Sequence, residues 1–204
     1  MRQVEELKKL AGGRYLVSLD DGSSFPLYGK ELEEFRIHED ERLADSDYEK
    51  IMTEVLPKRA KLCAMHILEK TDKTEYQLRQ KLAALFYPEN MIDEAIDYVK
   101  KYHYVDDLRY AVSYMEYRRE NKSIRQMEQE LYQKGISKET LQEALSQIEA
   151  PDEERQIALW LQKKHYDQTE ADHKETQKMY NFLLRKGYTA SSIQRVMRMQ
   201  DLYE

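Results

Sequence analysis

The sequence predicts a mainly α-helical fold, with three tandem three-helix repeats in an elongated curved array behind a small N-terminal β-hairpin-like appendage. Three observations support this prediction. The chain of 204 residues contains only 6 Gly and 4 Pro, so few residues interrupt helices. Apolar residues recur at three- and four-residue spacings from about Asp47 onward. One sequence pattern also occurs three times without a gap.

The N-terminal appendage is predicted from residues 1–45, which differ from the rest of the chain. RYLVSL at 14–19 is rich in β-prone residues, DDGSS at 20–24 is a turn sequence, and FPLY at 25–28 can return as a second strand. Since an isolated hairpin is only marginally stable in water, we expect it to pack on the helices or on a partner.

The three repeats follow from an alignment of residues 82–96, 131–145 and 183–197. A further helix is predicted upstream of each copy, at about 57–70, 106–120 and 152–165. Such a unit cannot bury its apolar stripe alone, so neighbouring units are expected to stack. The predicted domains are the appendage at 1–45, a linker helix with repeat 1 at 46–105, repeat 2 at 106–150, and repeat 3 at 151–204.

Turn residues recur at fixed places in the pattern. Gly135 and Gly187 occupy the position where a helix commonly ends in the left-handed region. Ser137 and Thr189 follow as predicted N-caps of the third helix. The first copy has Phe86 in the glycine position, so its connection is expected to differ locally.

Composition limits the function classes. The net charge of −6 argues against binding nucleic acid by bulk attraction, although the acidity is concentrated in residues 1–50, with 8 Lys+Arg against 13 Asp+Glu. The single cysteine fits a reducing compartment, and the absence of a long apolar run predicts a soluble, cytoplasmic protein without a membrane partner. The sequence contains no Gly-rich phosphate loop, nucleophile elbow or metal-ligand set that we can justify, so we expect no catalysis, cofactor or metal.

Once the copies are aligned, the chain resembles the RecX family of bacterial recombination regulators. The resemblance rests on YVDDLRYAVSYMEYRR at 104–119, ELYQKGIS at 130–137 and NFLLRKGYTASSIQRVM at 181–197, with RAKLCAMHILEKTDKTEYQLRQKL at 59–82 similar to the first repeat. It covers about residues 57–202. The missing turn glycine of the first copy, the acidic charge and residues 1–45 depart from the family pattern.

The resemblance implies a non-enzymatic regulator in recombination and DNA repair. Its partner would be the RecA–DNA filament, whose growth, ATP hydrolysis and strand exchange members of the family inhibit. DNA within or beside the filament is a further possible partner, and a monomer is expected. Several weak contacts made by similar units can together give avidity without a deep pocket.

Basic residues on the matched segments are the candidate contacts, because arginine and lysine can bind carboxylates on a protein or phosphates on DNA. They would form a basic, concave face. Each could instead lie on a solvated helix face or complement the negative end of a helix. The candidates are Arg118, Arg119, Lys122, Arg125, Lys134, Lys163, Lys164, Arg185, Lys186 and Arg195.

Two alternatives remain open from the residues. Tyr110, Tyr114 and Tyr117 form one helical stripe that could stack single-stranded bases, although packing between repeats explains them more simply. The first alternative is therefore that the same cations bind bare DNA. The second is that the chain is a generic helical scaffold for an unknown protein. Base reading by a helix-turn-helix is disfavoured, since Glu139 and Glu143 in the second copy would repel phosphates.

Overall fold

Four antiparallel strands form the N-terminal part of the computed structural model, which describes residues 2–197. The strands are β1 (Arg2–Lys9), β2 (Arg14–Leu19), β3 (Ser24–Tyr28) and β4 (Arg42–Leu43), in the spatial order β3-β2-β1-β4. The predicted hairpin is β2 and β3, and it is confirmed. The structure adds β1, which pairs with β2 along nearly its whole length, and the short edge strand β4.

Helices cover the rest of the first unit, which ends at Asp106. They are α1 (Gly29–Glu34), α2 (Asp45–Lys50), α3 (Leu56–Lys70), α4 (Glu75–Ala83) and α5 (Glu89–Lys101). A π-helical turn at Ile51–Val55 joins α2 to α3. The helices α3, α4 and α5 are the three helices of the first repeat.

One hydrophobic core connects the sheet to the first repeat. Val17 and Phe25 of the sheet belong to the same buried cluster as Leu82 and Ile96 of the helices. The strand region therefore packs on helices, as expected for a small sheet. A salt bridge reinforces this packing: Arg59 on α3 lies 2.7 Å from the buried carboxylate of Glu31 on α1.

The second unit begins at Asp107 and contains the other two repeats. The second repeat comprises α6 (Asp107–Arg118), α7 (Ile124–Gln133) and α8 (Lys138–Gln147), and the third comprises α9 (Glu153–Lys163), α10 (His173–Arg185) and α11 (Ala190–Met197). Each has its own buried cluster, centred on Met127 and Leu131 in the second repeat and on Leu183 and Ile193 in the third. The predicted mainly helical class, with three-helix groups and an N-terminal strand region, is confirmed.

The turn between the second and third helices has the same backbone in all three repeats. Gly135 and Gly187 have φ of 85° and 86°, and Phe86 also lies in the left-handed region, with φ of 68°. The amide of the next residue then donates to a carbonyl five residues back, as Tyr87 does to Leu82. The first copy was expected to differ here: Phe86 adopts the backbone conformation that glycine supplies elsewhere, and the difference lies at Pro88, which precedes α5 without a side-chain cap.

Polar side chains cap the middle helix of each repeat and the third helix of the second and third repeats, whereas Pro88 before α5 provides no such cap. The predicted caps are confirmed: Ser137 accepts from the amide of Thr140 at 3.1 Å, and Thr189 accepts from that of Ser192 at 3.2 Å. The middle helices are capped too, by Thr74, Ser123 and Asp172.

Within residues 2–197, no helix has the length and apolar character needed to cross a membrane.

Candidate partner-binding surface

The ten basic residues predicted to contact a partner all lie in the second unit. Arg118, Arg125, Lys163, Arg185 and Arg195 are on helices, whereas Arg119, Lys122, Lys134, Lys164 and Lys186 are in the connections that follow or precede them. They differ in what surrounds them. One group lies around Tyr114, a second lies over two aromatic rings of the third repeat, a third is ion-paired, and two arginines line a groove.

The Tyr114 cluster brings together three of the predicted cations. The charged groups of Arg118, Lys122 and Lys134 lie 5.9–6.0 Å from the centre of the Tyr114 ring. The Tyr114 hydroxyl donates to the carboxylate of Glu130, and Lys122 Nζ lies 2.5 Å from that carboxylate. Among these three cations, Lys122 is the one that forms an ion pair with Glu130 in the described contacts.

The electrostatics of the Tyr114 cluster favour a further anion. Burial lowers the pKa of Lys122, and the nearby charges of Arg118 and Lys134 lower it further. Among the described residues, Nε of Arg118 is buried without a hydrogen-bond partner. A negative group from a partner would relieve the repulsion between the cations and could accept a hydrogen bond from Arg118.

The tyrosine stripe of α6 divides into packed and exposed members. Tyr110 and Tyr114 have nearly parallel rings 6.5 Å apart, and both pack against the core of the second repeat. Tyr117, by contrast, is 75% exposed and carries the Arg118 guanidinium 5.0 Å from its ring centre. Packing between repeats was the simpler interpretation of this stripe, but Tyr110 and Tyr114 pack within the second repeat and Tyr117 is mostly exposed.

Trp160 and Phe182 form the aromatic centre of the third repeat. Their rings meet edge to face at 5.3 Å, and the indole N–H of Trp160 donates to the Tyr188 hydroxyl at 3.1 Å. Three predicted cations lie over these rings: Lys163 and Lys186 near Trp160, at 5.1 and 4.8 Å, and Lys164 near Phe182, at 5.2 Å. Such contacts hold each ammonium group close to the protein surface and contribute about 0.5–1 kcal/mol when exposed.

Two predicted arginines are already paired with carboxylates of the chain. Arg119 lies 3.0 Å from Glu149, and Arg195 lies 3.2 Å from Glu154. A partner anion would have to compete with these carboxylates, so the two arginines are less available than their exposure suggests.

Arg125 and Arg185 line a groove of about 330 Å³. Arg125 belongs to α7 of the second repeat, and Arg185 to the last turn of α10 in the third. Gln126, Gln129, Leu184 and Gly187 complete the lining. Both arginines are exposed, and within residues 2–197 neither has an ion-pair partner.

A joint between the second and third repeats fixes the two sides of this groove. The hydroxyl of buried Ser123 accepts from the Gln126 amide at 3.2 Å and donates to the carbonyl of Lys186 at 2.7 Å. Gly187 lies so close that a Cβ there would stand 2.6 Å from Ser123 Oγ and 3.1 Å from Arg125 Cβ. One serine thus caps α7 and anchors the turn of the next repeat.

Gln156 forms a second polar link between these repeats. Its side-chain amide, almost fully buried, donates to the carbonyl oxygens of Arg119 at 2.5 Å and Lys122 at 3.3 Å. Sequence reasoning missed both Gln156 and Ser123. The spacing of Ser123 and Gln126 at the start of a helix was an available signal for the cap, but nothing in the sequence indicates a contact with residues over 30 positions away.

The acidic residue Asp107 and the single cysteine were also considered from the sequence, and the structure shows where each lies. Asp107 begins α6, where a carboxylate favours the positive end of the helix dipole. Cys63 is half-buried, and burial raises the pKa of its thiol. Across residues 2–197, no group of three or more His, Cys, Asp or Glu side chains could hold a metal ion.

Family models match all three helical groups in order. Models described as the first, second and third three-helix domains of RecX match residues 60–98, 106–145 and 152–197. Together with the fold, these matches define the chain as a protein of the class built from tandem three-helix domains.

The relatives narrow this class to one family. The chain is 30% identical over 197 residues to the regulatory protein RecX of Clostridium perfringens strain SM101, with 95% of this chain and 92% of that protein covered. It is 36% identical over 138 residues to that of Clostridium botulinum strain Eklund 17B, where it spans 65% of the relative's length and 66% of its own. The chain belongs to the RecX family of regulatory proteins.

Solved structures show the same fold. A crystal structure of a regulatory protein RecX superposes with a TM-score of 0.63 at 23% identity, covering 98% of this chain and all of the other. RecX from Lactobacillus salivarius gives a TM-score of 0.58 at 20% identity, with 72% of this chain and 97% of that one covered.

Proposed function

We propose that the chain is a non-enzymatic regulator of homologous recombination. It binds the RecA–DNA filament in the cytoplasm and limits the growth, ATP hydrolysis and strand exchange of that filament. The observation that carries the proposal is the ordered match of three RecX three-helix domains, together with relatives named as regulatory proteins.

The chemistry of the second unit supports contact with an anionic, repeating partner. In the second repeat the charged groups of Arg118, Lys122 and Lys134 surround the Tyr114 ring, and in the third repeat Lys163, Lys164 and Lys186 lie over the Trp160 and Phe182 rings. Two such contacts on one chain can engage successive filament subunits. Linking weak contacts raises their combined affinity without adding any new interaction.

The proposal is tested by the DNA-dependent ATP hydrolysis of RecA in the presence of the purified chain. We expect a reduced rate at substoichiometric amounts, because one bound chain blocks the addition of further subunits. The variant Arg118→Glu/Arg119→Glu is expected to inhibit less while circular dichroism shows an unchanged helix content. An unchanged rate at equimolar wild-type protein would contradict the proposal.

Direct binding of single-stranded DNA is the second candidate function. Tyr117 favours it, because its ring is mostly exposed and lies beside Arg118, an arrangement suited to stacking a base next to a phosphate. Salt titration separates the two functions. Phosphate binding weakens steeply as salt rises and persists without recombinase, whereas binding to a protein filament requires the recombinase.

A further inference from the structure

The groove that contains Arg125 and Arg185 differs from every other place where the predicted cations lie. Arg119, Lys122 and Arg195 are paired with carboxylates of the chain, and Lys163, Lys164 and Lys186 lie over aromatic rings. Among the residues that the structure describes, Arg125 and Arg185 have neither kind of partner. Their guanidinium groups retain all their donors for a ligand.

The groove is built on fixed elements. Arg125 lies in the first turn of α7, which Ser123 caps, and Arg185 lies one residue before Lys186, whose carbonyl accepts from the same serine. A Cβ on Gly187 would stand 3.1 Å from Arg125 Cβ, so the chain segments on the two sides of the groove lie close together. The backbone positions of the two arginines are therefore set before a ligand arrives, which reduces the entropic cost of binding.

The size and lining of the groove indicate its ligand. At about 330 Å³ it is at the small end of ligand sites, which span about 300–1,000 Å³. Gln126 and Gln129 offer amides that can pair with a peptide backbone, and Leu184 offers an apolar surface that is 36% exposed. Arginine forks bind carboxylates in a bidentate way.

A nucleic acid strand fits these observations less well. A strand presents phosphates at regular intervals and would need unpaired cations along its path. Two other arginines of the second unit, Arg119 and Arg195, are bound to Glu149 and Glu154. A single pair of available arginines next to a leucine suits one acidic side chain with an apolar neighbour.

We propose that this groove binds an acidic segment of a protein partner, with a carboxylate held by Arg125 and Arg185 and an apolar side chain against Leu184. The identity of the partner rests on the proposed function: if that function holds, the acidic segment belongs to a subunit of the recombinase filament. The groove becomes a site of protein recognition that is distinct from the Tyr114 cluster.

The first test uses a peptide and needs no recombinase. Arginine Nε–Hε resonances of the full chain are followed by NMR during titration with acetyl-Glu-Leu-Glu-amide, acetyl-Gln-Leu-Gln-amide and a short oligothymidylate. We expect saturable shifts of Arg125 and Arg185 with the acidic peptide, and none with the amide peptide. Equal shifts with both peptides, no shift with either, or tighter binding of the oligothymidylate at these arginines would overturn the inference.

The second test measures binding to RecA filaments. Arg125→Glu/Arg185→Glu is compared with Lys138→Glu/Lys174→Glu, which makes the same change of charge at exposed lysines outside the groove. We expect the first variant to bind at least about tenfold more weakly, since reversed charges would repel the carboxylate, and the second to bind like the wild type. Equal binding by both variants overturns the inference. If wild-type protein fails to bind filaments, the proposed function fails and the peptide titration alone decides on the groove.

Discussion

Gly187→Ala tests the joint between the second and third repeats. Alanine in the left-handed region costs about 1–2 kcal/mol, and Gly187 has φ of 86°. The added Cβ would also stand 2.6 Å from Ser123 Oγ, so the serine must move. That movement weakens two hydrogen bonds, to Gln126 and Lys186, each worth about 1 kcal/mol. We therefore expect the free energy of unfolding to fall by more than the conformational cost alone, and by about 3–4 kcal/mol when both hydrogen bonds are lost.

Gly135→Ala is the matched control. Gly135 has φ of 85° and lies at the opposite end of α7 from Ser123, so alanine there pays the conformational cost of about 1–2 kcal/mol without displacing that serine. Ser123→Ala provides a second comparison. When Ser123 Oγ is absent, the additional cost of Gly187→Ala should fall towards the cost of Gly135→Ala, because the two substitutions act on the same contact.

Urea unfolding followed by tryptophan fluorescence measures these costs. Trp160 is the sole tryptophan of the chain and lies in the third repeat, so its emission reports on the second unit. Far-ultraviolet circular dichroism checks that the variants fold. The reasoning is refuted if Gly187→Ala costs no more than Gly135→Ala, or if its cost is the same with and without Ser123.

Three further predictions concern stability. Ser137→Ala should cost about 1 kcal/mol in urea unfolding followed by Trp160 fluorescence, because it removes the cap of α8; an unchanged midpoint would contradict the cap. Arg59→Met should cost about 2–3 kcal/mol in the unfolding of the first unit, since it leaves the Glu31 carboxylate buried without its cation, and Glu31→Gln/Arg59→Met should recover part of that loss. Burial opposes ionisation of Glu75, but hydrogen bonds from Lys100 and Arg79 outweigh it and hold the pKa of Glu75 below its ordinary value. The stabilisation from ionised Glu75 is therefore present above the pKa of the unfolded state and is lost as pH falls through the lower pKa of the folded state. Glu75→Gln should consequently lose less stability under acid than the wild type. Unfolding followed by circular dichroism at several pH values measures this difference.

The helical part of the fold was predictable because its signals are local. Apolar spacing marks each buried face, and Ser137 and Gly135 mark where one helix begins and another ends. Each of these signals acts within one or two turns of the chain. The helices observed at Asp107–Arg118 and Glu153–Lys163 consequently lie within the predicted ranges.

The N-terminal sheet was predictable only in part. The hairpin of β2 and β3 has β-prone residues and a turn sequence, but β1 reads RQVEELKK and is rich in charged residues. Its register shifts between Val4 and Glu6, which breaks the alternation that would identify a strand. Pairing with β2 and β4 stabilises β1 as a strand, although its local sequence does not indicate one.

Whether a candidate cation is ion-paired depends on contacts between residues that are distant in the sequence. Arg119 pairs with Glu149 and Arg195 with Glu154, each across 30 or more positions. No spacing rule predicts such pairs. The sequence could therefore name ten basic residues but could not separate the paired arginines from Arg125 and Arg185.

Binding to RecA filaments, measured with and without DNA at two ionic strengths, tests the proposed regulator most directly. We predict that the chain co-sediments with filaments assembled on DNA at both ionic strengths, and that it remains in the supernatant with DNA alone at the higher one. Equal co-sedimentation with bare DNA and with filaments, lost together as salt rises, would instead identify a DNA-binding protein and contradict the account.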